Sequence, residues 1–210
     1  MGRTGRGLGI AALWAALASV PAWAQGRLEF GAQYASPDTR NVAQWVVASR
    51  DHSGLPFAIV DKKQAHIYVF DAGGRLAGGS AVLLGQTVGD RSAPLVGVHT
   101  QAGYVPVDER TTPSGRFETE PGLNLDGDPV VWVDYATALA IHRLRPGASR
   151  RAREARLASA TPDDNRASLG CIVVPQAFYE RVLQPLLGRS RGVVYVLPDE
   201  RSLHEIFTAL

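Results

Sequence analysis

A mainly β domain, a sandwich or a barrel-like sheet with a few short helices, is what this 210-residue sequence predicts. Three observations carry that expectation. Short apolar, β-branched runs recur from Phe57 onward, turn signals such as Asp71-Ala72-Gly73-Gly74 and Thr112-Pro113-Ser114-Gly115 separate them, and helical spacing is confined to brief stretches.

In chain order, residues 1–24 read as a secretory signal. Arg3 and Arg6 supply the positive start, Leu8 to Val20 the apolar stretch, and Ala22-Trp23-Ala24 the small-residue cleavage pattern. That apolar stretch is short for a bilayer, which takes roughly 20 residues. No later stretch approaches that length, and no cysteine follows the signal to accept a lipid, so the processed chain is expected to be soluble. Residues 25–55 form a linker and a short helix, with Ser36-Pro37-Asp38 as cap and first turn before Val42, Trp45 and Val46. Residues 56–198 form the main domain, and 199–210 a tail or short helix.

Within the main domain, Phe57 to Asp61 and His66 to Phe70 read as consecutive strands joined by a polar turn, Lys62-Lys63-Gln64. A further strand returns from Arg75 to Leu84. Residues 86–110 scatter Gly, Pro and charge among short apolar pairs and read as a long loop or hairpin excursion. Strands follow at Val130 to Tyr135 and Ala138 to Leu144. The Arg-rich stretch 145–167 reads as a solvated excursion with a helical turn near Arg150 to Leu157. Ser168 to Pro175 then reads as a Gly-containing turn into an apolar strand, Gln176 to Leu187 has helical spacing, and Gly192 to Pro198 makes a last strand.

Charge narrows the function classes. The chain carries 22 basic and 20 acidic residues, and two of the basic ones, Arg3 and Arg6, lie in the signal. The remainder is near neutral, which argues against a nucleic-acid-binding surface. Peptide-like or neutral partners stay open. The sequence has one cysteine, Cys171, so an exported chain of this kind makes no internal disulfide. Cys171 is then a buried filler, an intermolecular partner or a nucleophile.

A thiol attacks as its thiolate, so a cysteine nucleophile needs a nearby base or positive charge to lower a reference pKa of about 8.5. His142, late in a predicted strand, is the candidate base, and neighbouring strands would bring it to Cys171. Gly170, just before the thiol, leaves backbone N–H groups accessible to an oxyanion. The other histidines, His52, His66, His99 and His204, have no such context, and with a single Cys they argue against a structural zinc site.

On these residues the sequence resembles the L,D-transpeptidase (YkuD-type) catalytic domain. Ile141-His142 matches the upstream histidine of that family, Ser168, Gly170 and Cys171 match its Ser/Thr-His-Gly-Cys element, and Thr112-Pro113-Ser114-Gly115-Arg116-Phe117 matches its Thr-Pro turn. The resemblance covers roughly residues 56–198.

It implies an L,D-transpeptidase-like β-sandwich in the periplasm, acting on peptidoglycan stem peptides without metal or organic cofactor. Cys171 would attack the diaminopimelate carbonyl and release D-Ala. His142 would serve as general base, Ser168 would orient the imidazole or the turn, and the Gly170 and Cys171 N–H groups would line the oxyanion hole. Apart from the resemblance, Arg143, Arg166 and Leu169 are the candidate substrate contacts, an arginine being suited to a stem-peptide carboxylate. The acyl acceptor would be an amine, on a stem peptide or an outer-membrane lipoprotein, or water.

Three departures stand out. Leu169 replaces the family's second His, Val173 replaces a following Asn or Arg, and Arg143 replaces a Gly. An L,D-carboxypeptidase, a crosslink amidase and a catalytically inactive peptidoglycan-binding relative therefore stay open beside the transpeptidase.

Overall fold

Ser36 starts the first helix by accepting the Thr39 N–H on its side chain, and Pro37 takes the opening position, where no N–H is needed. Helix α1 (Pro37–Ser49) buries Thr39, Val42, Ala43 and Val46 on one face. Its start is tied to the sheet, because the Ser36 and Thr39 hydroxyls both donate to the Asp61 carboxylate at 2.5 and 2.9 Å. The computed structural model that shows this describes residues 1–2 and 28–210, so the signal read at 1–24 lies outside the described residues apart from Met1 and Gly2.

Ten strands follow: β1 (Phe57–Asp61), β2 (His66–Phe70), β3 (Leu76–Ala81), β4 (Leu84–Gly85), β5 (Gly115–Leu123), β6 (Pro129–Asp134), β7 (Leu139–Arg143), β8 (Arg166–Ser168), β9 (Ile172–Val174) and β10 (Gly192–Val196). Eight of them form a mixed sheet in the order β3-β2-β1-β10-β5-β6-β7-β9, while β4 and β8 pair apart. The β1/β10 and β7/β9 contacts are parallel, and the other pairs of this sheet are antiparallel. The protein is mainly β, as its sequence predicts.

The sheet curves until its two ends meet. Just beyond β3, Leu83 exchanges two backbone hydrogen bonds with Val173 of β9, at 2.8 and 2.9 Å. Residues from opposite ends of the sheet therefore share one core: Val60 and Ile67 with Val131, Ile141, Ile172 and Val196. The other face of β1, β2 and β10 is also covered. Phe57, Ile59, Tyr68 and Tyr195 pack there with Val42 and Val46 of α1. Burial on both faces explains why these strands read as continuous apolar runs rather than alternating ones.

Residues 86–110 contain two short helical pieces, α2 (Val96–Gln101) and a 3-10 turn at Val107–Glu109. Their charges and scattered apolar pairs hide both, since neither is long enough to establish a period. Helix α3 (Arg150–Ala158) has no fully buried residue. The helical stretch after β9 comprises α4 (Gln176–Phe178), a π-helical stretch Tyr179–Leu183 and α5 (Gln184–Leu186). A last helix, α6 (Leu203–Ile206), begins with a Ser202–Glu205 capping box. Among the described residues no helix is long and apolar enough to cross a membrane.

One turn departs sharply from expectation. Lys62, read as part of a polar turn, is 1% exposed. Its ammonium donates to Gly89 O, Asp90 and Thr112 O, and lies 3.1 Å from Asp199. Those partners, distant in sequence, turn a surface-type residue into the centre of a buried ionic network.

Candidate functional site

The parallel β7/β9 register, Ile141 to Ile172 and His142 to Val173, decides which side chains share a face. Ile141 and Ile172 point into the core. Alternation then places His142 on the other face, and Cys171 stands at the bend entering β9. The pairing brings the chain segments of the two predicted chemical residues side by side, with Cys171 one residue before the strand that pairs with β7. The thiol is partly buried, and its Sγ donates toward Ala138 O at 3.5 Å.

His142 Nδ1 is 2.9 Å from the Arg143 carbonyl. A carbonyl only accepts, so Nδ1 carries the hydrogen and the neutral ring keeps its free lone pair on Nε2. Burial pushes the imidazole pKa down to about 4, and the positive charges of Arg145 and Arg153 push the same way, against the Arg143 carbonyl and Asp128. Burial likewise pushes the Cys171 thiol up, opposed by the Ala140 N–H and by Arg145. A thiol lowered by its histidine is the sequence expectation. In the resting structure the pair is instead neutral thiol and neutral imidazole, because desolvation outweighs the nearby charge.

The turn before the thiol is held from both sides. Ser168 Oγ donates to Cys171 O at 2.6 Å and accepts the Gly170 N–H at 3.1 Å, so Ser168 shapes the turn rather than touching the imidazole. The Gly170 N–H, expected to face an oxyanion, is taken by this bond. Gly170 has φ +132°, and a Cβ there would stand 3.1 Å from Thr111 O, which favours glycine twice over. From the far side, buried Thr112 donates its hydroxyl to Gly170 O at 2.7 Å and accepts the Gly85 N–H at 2.9 Å.

The expected substrate contacts fall differently. Leu169 is 52% exposed at the tip of the turn. Arg143 alternates to the opposite face of β7 from His142, pairs with Asp128 at 2.6 Å and acts on the buried Tyr179. Arg166 is committed inward, to Asp199 at 2.6 Å and Lys62 O at 3.3 Å. The arginines whose charge reaches the site are Arg145, which acts on both Cys171 and His142, and Arg153, which acts on His142. Both belong to the Arg-rich stretch read as a solvated excursion, and that clustering was the signal available. Among the described residues no group of three or more His, Cys, Asp or Glu is placed to hold a metal.

No protein-family profile and no curated protein matches the chain. Solved structures do resemble it. The catalytic domain of an L,D-transpeptidase from E. faecium is 21% identical, over 67% of this chain and 95% of that one, with a TM-score of 0.33. The avibactam carbamoyl enzyme Ldtfm is 18% identical over 69% of this chain, with a TM-score of 0.39. The helical cell shape determining protein Pgp2 from Campylobacter jejuni is 14% identical over 70%, with a TM-score of 0.43. The match spans about half the length of the last two, 49% of each.

Proposed function

We propose that this chain is an exported cysteine acyltransferase acting on peptidoglycan stem peptides in the periplasm, an L,D-transpeptidase in the reaction it performs. The observation that supports it most directly is the parallel pairing of β7, which carries an Nδ1–H imidazole at His142, with β9, which Cys171 immediately precedes. The resemblance of the His142 and Ser168–Cys171 motifs to that family supports the substrate class.

In this reading His142 Nε2 removes the thiol proton as Sγ attacks the peptide carbonyl carbon, since a neutral imidazole is the form able to accept it. Sγ first turns away from Ala138 O. Charge then develops on the carbonyl oxygen, and the Cys171 N–H is the donor left for it, Gly170 having given its own to Ser168. Collapse breaks the C–N bond, the imidazolium returns its proton to the departing D-Ala amine, and a Cys171 thioester remains. An acceptor amine attacks the thioester and loses a proton to His142, the C–S bond breaks, and the imidazolium returns that proton to the departing Cys171 thiolate. Water in its place gives L,D-carboxypeptidase activity.

A second reading, a peptidoglycan-binding protein that keeps the fold without turnover, is favoured by the raised thiol and its contact with Ala138 O. One experiment separates the two. Incubated with a carbapenem, the purified protein gains one covalent adduct in its intact mass, and Cys171→Ala gains none. Absence of both an adduct and any product from disaccharide-tetrapeptide muropeptides overturns the enzyme reading, and retention on sacculi would then establish the binder.

A further inference from the structure

Helix α3 lies across the sheet surface that carries His142. Its half-buried residues are Arg150, Arg153 and Leu157, spaced to share one face. Leu157 anchors that face by packing on Leu83, Leu144 and Val173, beside the β7/β9 pair. One turn back, Arg153 is carried toward His142.

The charges around it nearly cancel. Arg143 pairs with Asp128, Arg145 with the exposed Asp126, and Arg150 with Glu154, at 2.6, 3.2 and 2.7 Å. Arg153 has no ion-pair partner among the described residues. Its Nε is buried without a hydrogen bond, and so is Nε of Arg145, which has only a loose 3.7 Å approach to Asp128. Two half-buried guanidinium groups near each other, each with an unanswered N–H, are an arrangement that an anion completes.

We propose that Arg145 and Arg153 form a carboxylate-binding subsite beside Cys171, which takes a free carboxylate of the peptide substrate. That a peptide carries the carboxylate rests on the acyltransferase reading above, whereas the anion site rests on the two arginines alone. A planar carboxylate suits the guanidinium fork, which offers two parallel N–H donors. Binding also has a consequence at the thiol. Both arginines oppose a proton on His142, and a bound carboxylate cancels that opposition, so the imidazole becomes a stronger base once substrate is in place.

Two measurements on the full chain test this. In an NMR titration that follows the Arg Nε–H signals, N-acetyl-D-alanyl-D-alanine is expected to shift Arg145 and Arg153, and its C-terminal amide to shift neither. Arg153→Met should weaken the response of Arg145 about tenfold, Arg153→Lys less, and Arg151→Met, at an exposed position of the same helix, not at all. Equal shifts from acid and amide, or none from either, overturn the subsite.

The second measurement compares alkylation of Cys171 by iodoacetate and by iodoacetamide, each scaled to a free thiol. The anionic reagent is expected to be favoured about tenfold, and the preference to vanish in the Arg145→Met/Arg153→Met double variant with its far-UV spectrum unchanged. A preference that survives in that variant also overturns the subsite. Neither measurement needs turnover. A positive result with neither a carbapenem adduct nor a muropeptide product would leave the anion site standing and remove the acyltransferase.

Discussion

Two regions of this protein hold clustered charge, and they handle it in opposite ways. Around Lys62 the charges are answered. The ammonium meets Asp90 and Asp199, Arg166 meets Asp199 at 2.6 Å, and the Asp90 carboxylate accepts the N–H groups of Asp199, Glu200 and Arg201. Burial would raise Asp90, yet these donors and Lys62 hold its carboxyl well below the usual carboxylate range. Around His142 the balance is left open, with Arg153 unpaired among the described residues and burial keeping the imidazole neutral. The first arrangement fixes the distant segments around Lys62, Asp90, Arg166 and Asp199 in one geometry. The second keeps a proton acceptor and an unsatisfied cation at the surface where a ligand can meet them.

The largest effect should come from unbalancing the closed network. Lys62→Met leaves Asp90 and Asp199 buried against each other and is expected to cost about 3 to 5 kcal/mol, read as a lowered urea midpoint. A loss under about 1 kcal/mol would place Lys62 among ordinary surface cations and erase the contrast.

Thr112 joins the two regions, because Lys62 binds its carbonyl while its hydroxyl binds Gly170 O. Thr112→Val keeps the shape and strands a buried N–H and a buried carbonyl, for an expected loss of about 2 kcal/mol. If the turn depends on this contact, carbapenem acylation should slow by more than the stability loss predicts at a temperature where both proteins are folded.

Acid probes the open region. The folded pKa of His142, about 4, lies below the unfolded value of about 6.5. Between those values the unfolded chain binds more protons, so this group makes the protein less stable as the pH falls from 6.5 toward 4. Between pH 7 and 5 its share is on the order of 1 to 2 kcal/mol, and His142→Gln should remove that share from the urea midpoints. Identical slopes in both proteins would mean that the imidazole takes up its proton in the fold at the same pH as in the unfolded chain. The smallest effect is expected for Arg153→Met, a change within about 0.5 kcal/mol. A large loss there would make Arg153 a structural cation like Lys62.

How much of this was legible in the sequence follows from locality. The strands from Phe57 to Phe70 were legible because burial on both faces makes them apolar throughout. Cys171, His142 and Ser168 were legible as a pattern, and alternation from Ile141 suffices to put Arg143 behind the strand. Lys62 was not, since Lys-Lys-Gln after a strand is what a solvated turn looks like and its partners arrive from other loops. Arg145 and Arg153 were visible only as members of a cluster. Arg145 lies beyond the end of β7, where strand alternation no longer assigns a face, and α3 is too polar for its pattern to show which side it buries.

The place of β10 in the sheet also governs the order of assembly. It lies between β1 and β5, pairing Phe57 with Val193 on one side and Thr119 with Gly192 on the other. The hairpins β1–β2 and β5–β6 can form as local events, but they stay unconnected until residues 192–196 slot between them. Contacts of such long sequence separation make folding slow compared with helical proteins of similar size. A ribosome or translocation pore that releases the chain from its N-terminus would therefore deliver Cys171 before the strand that completes its sheet, leaving the thiol for that interval in an unfinished fold.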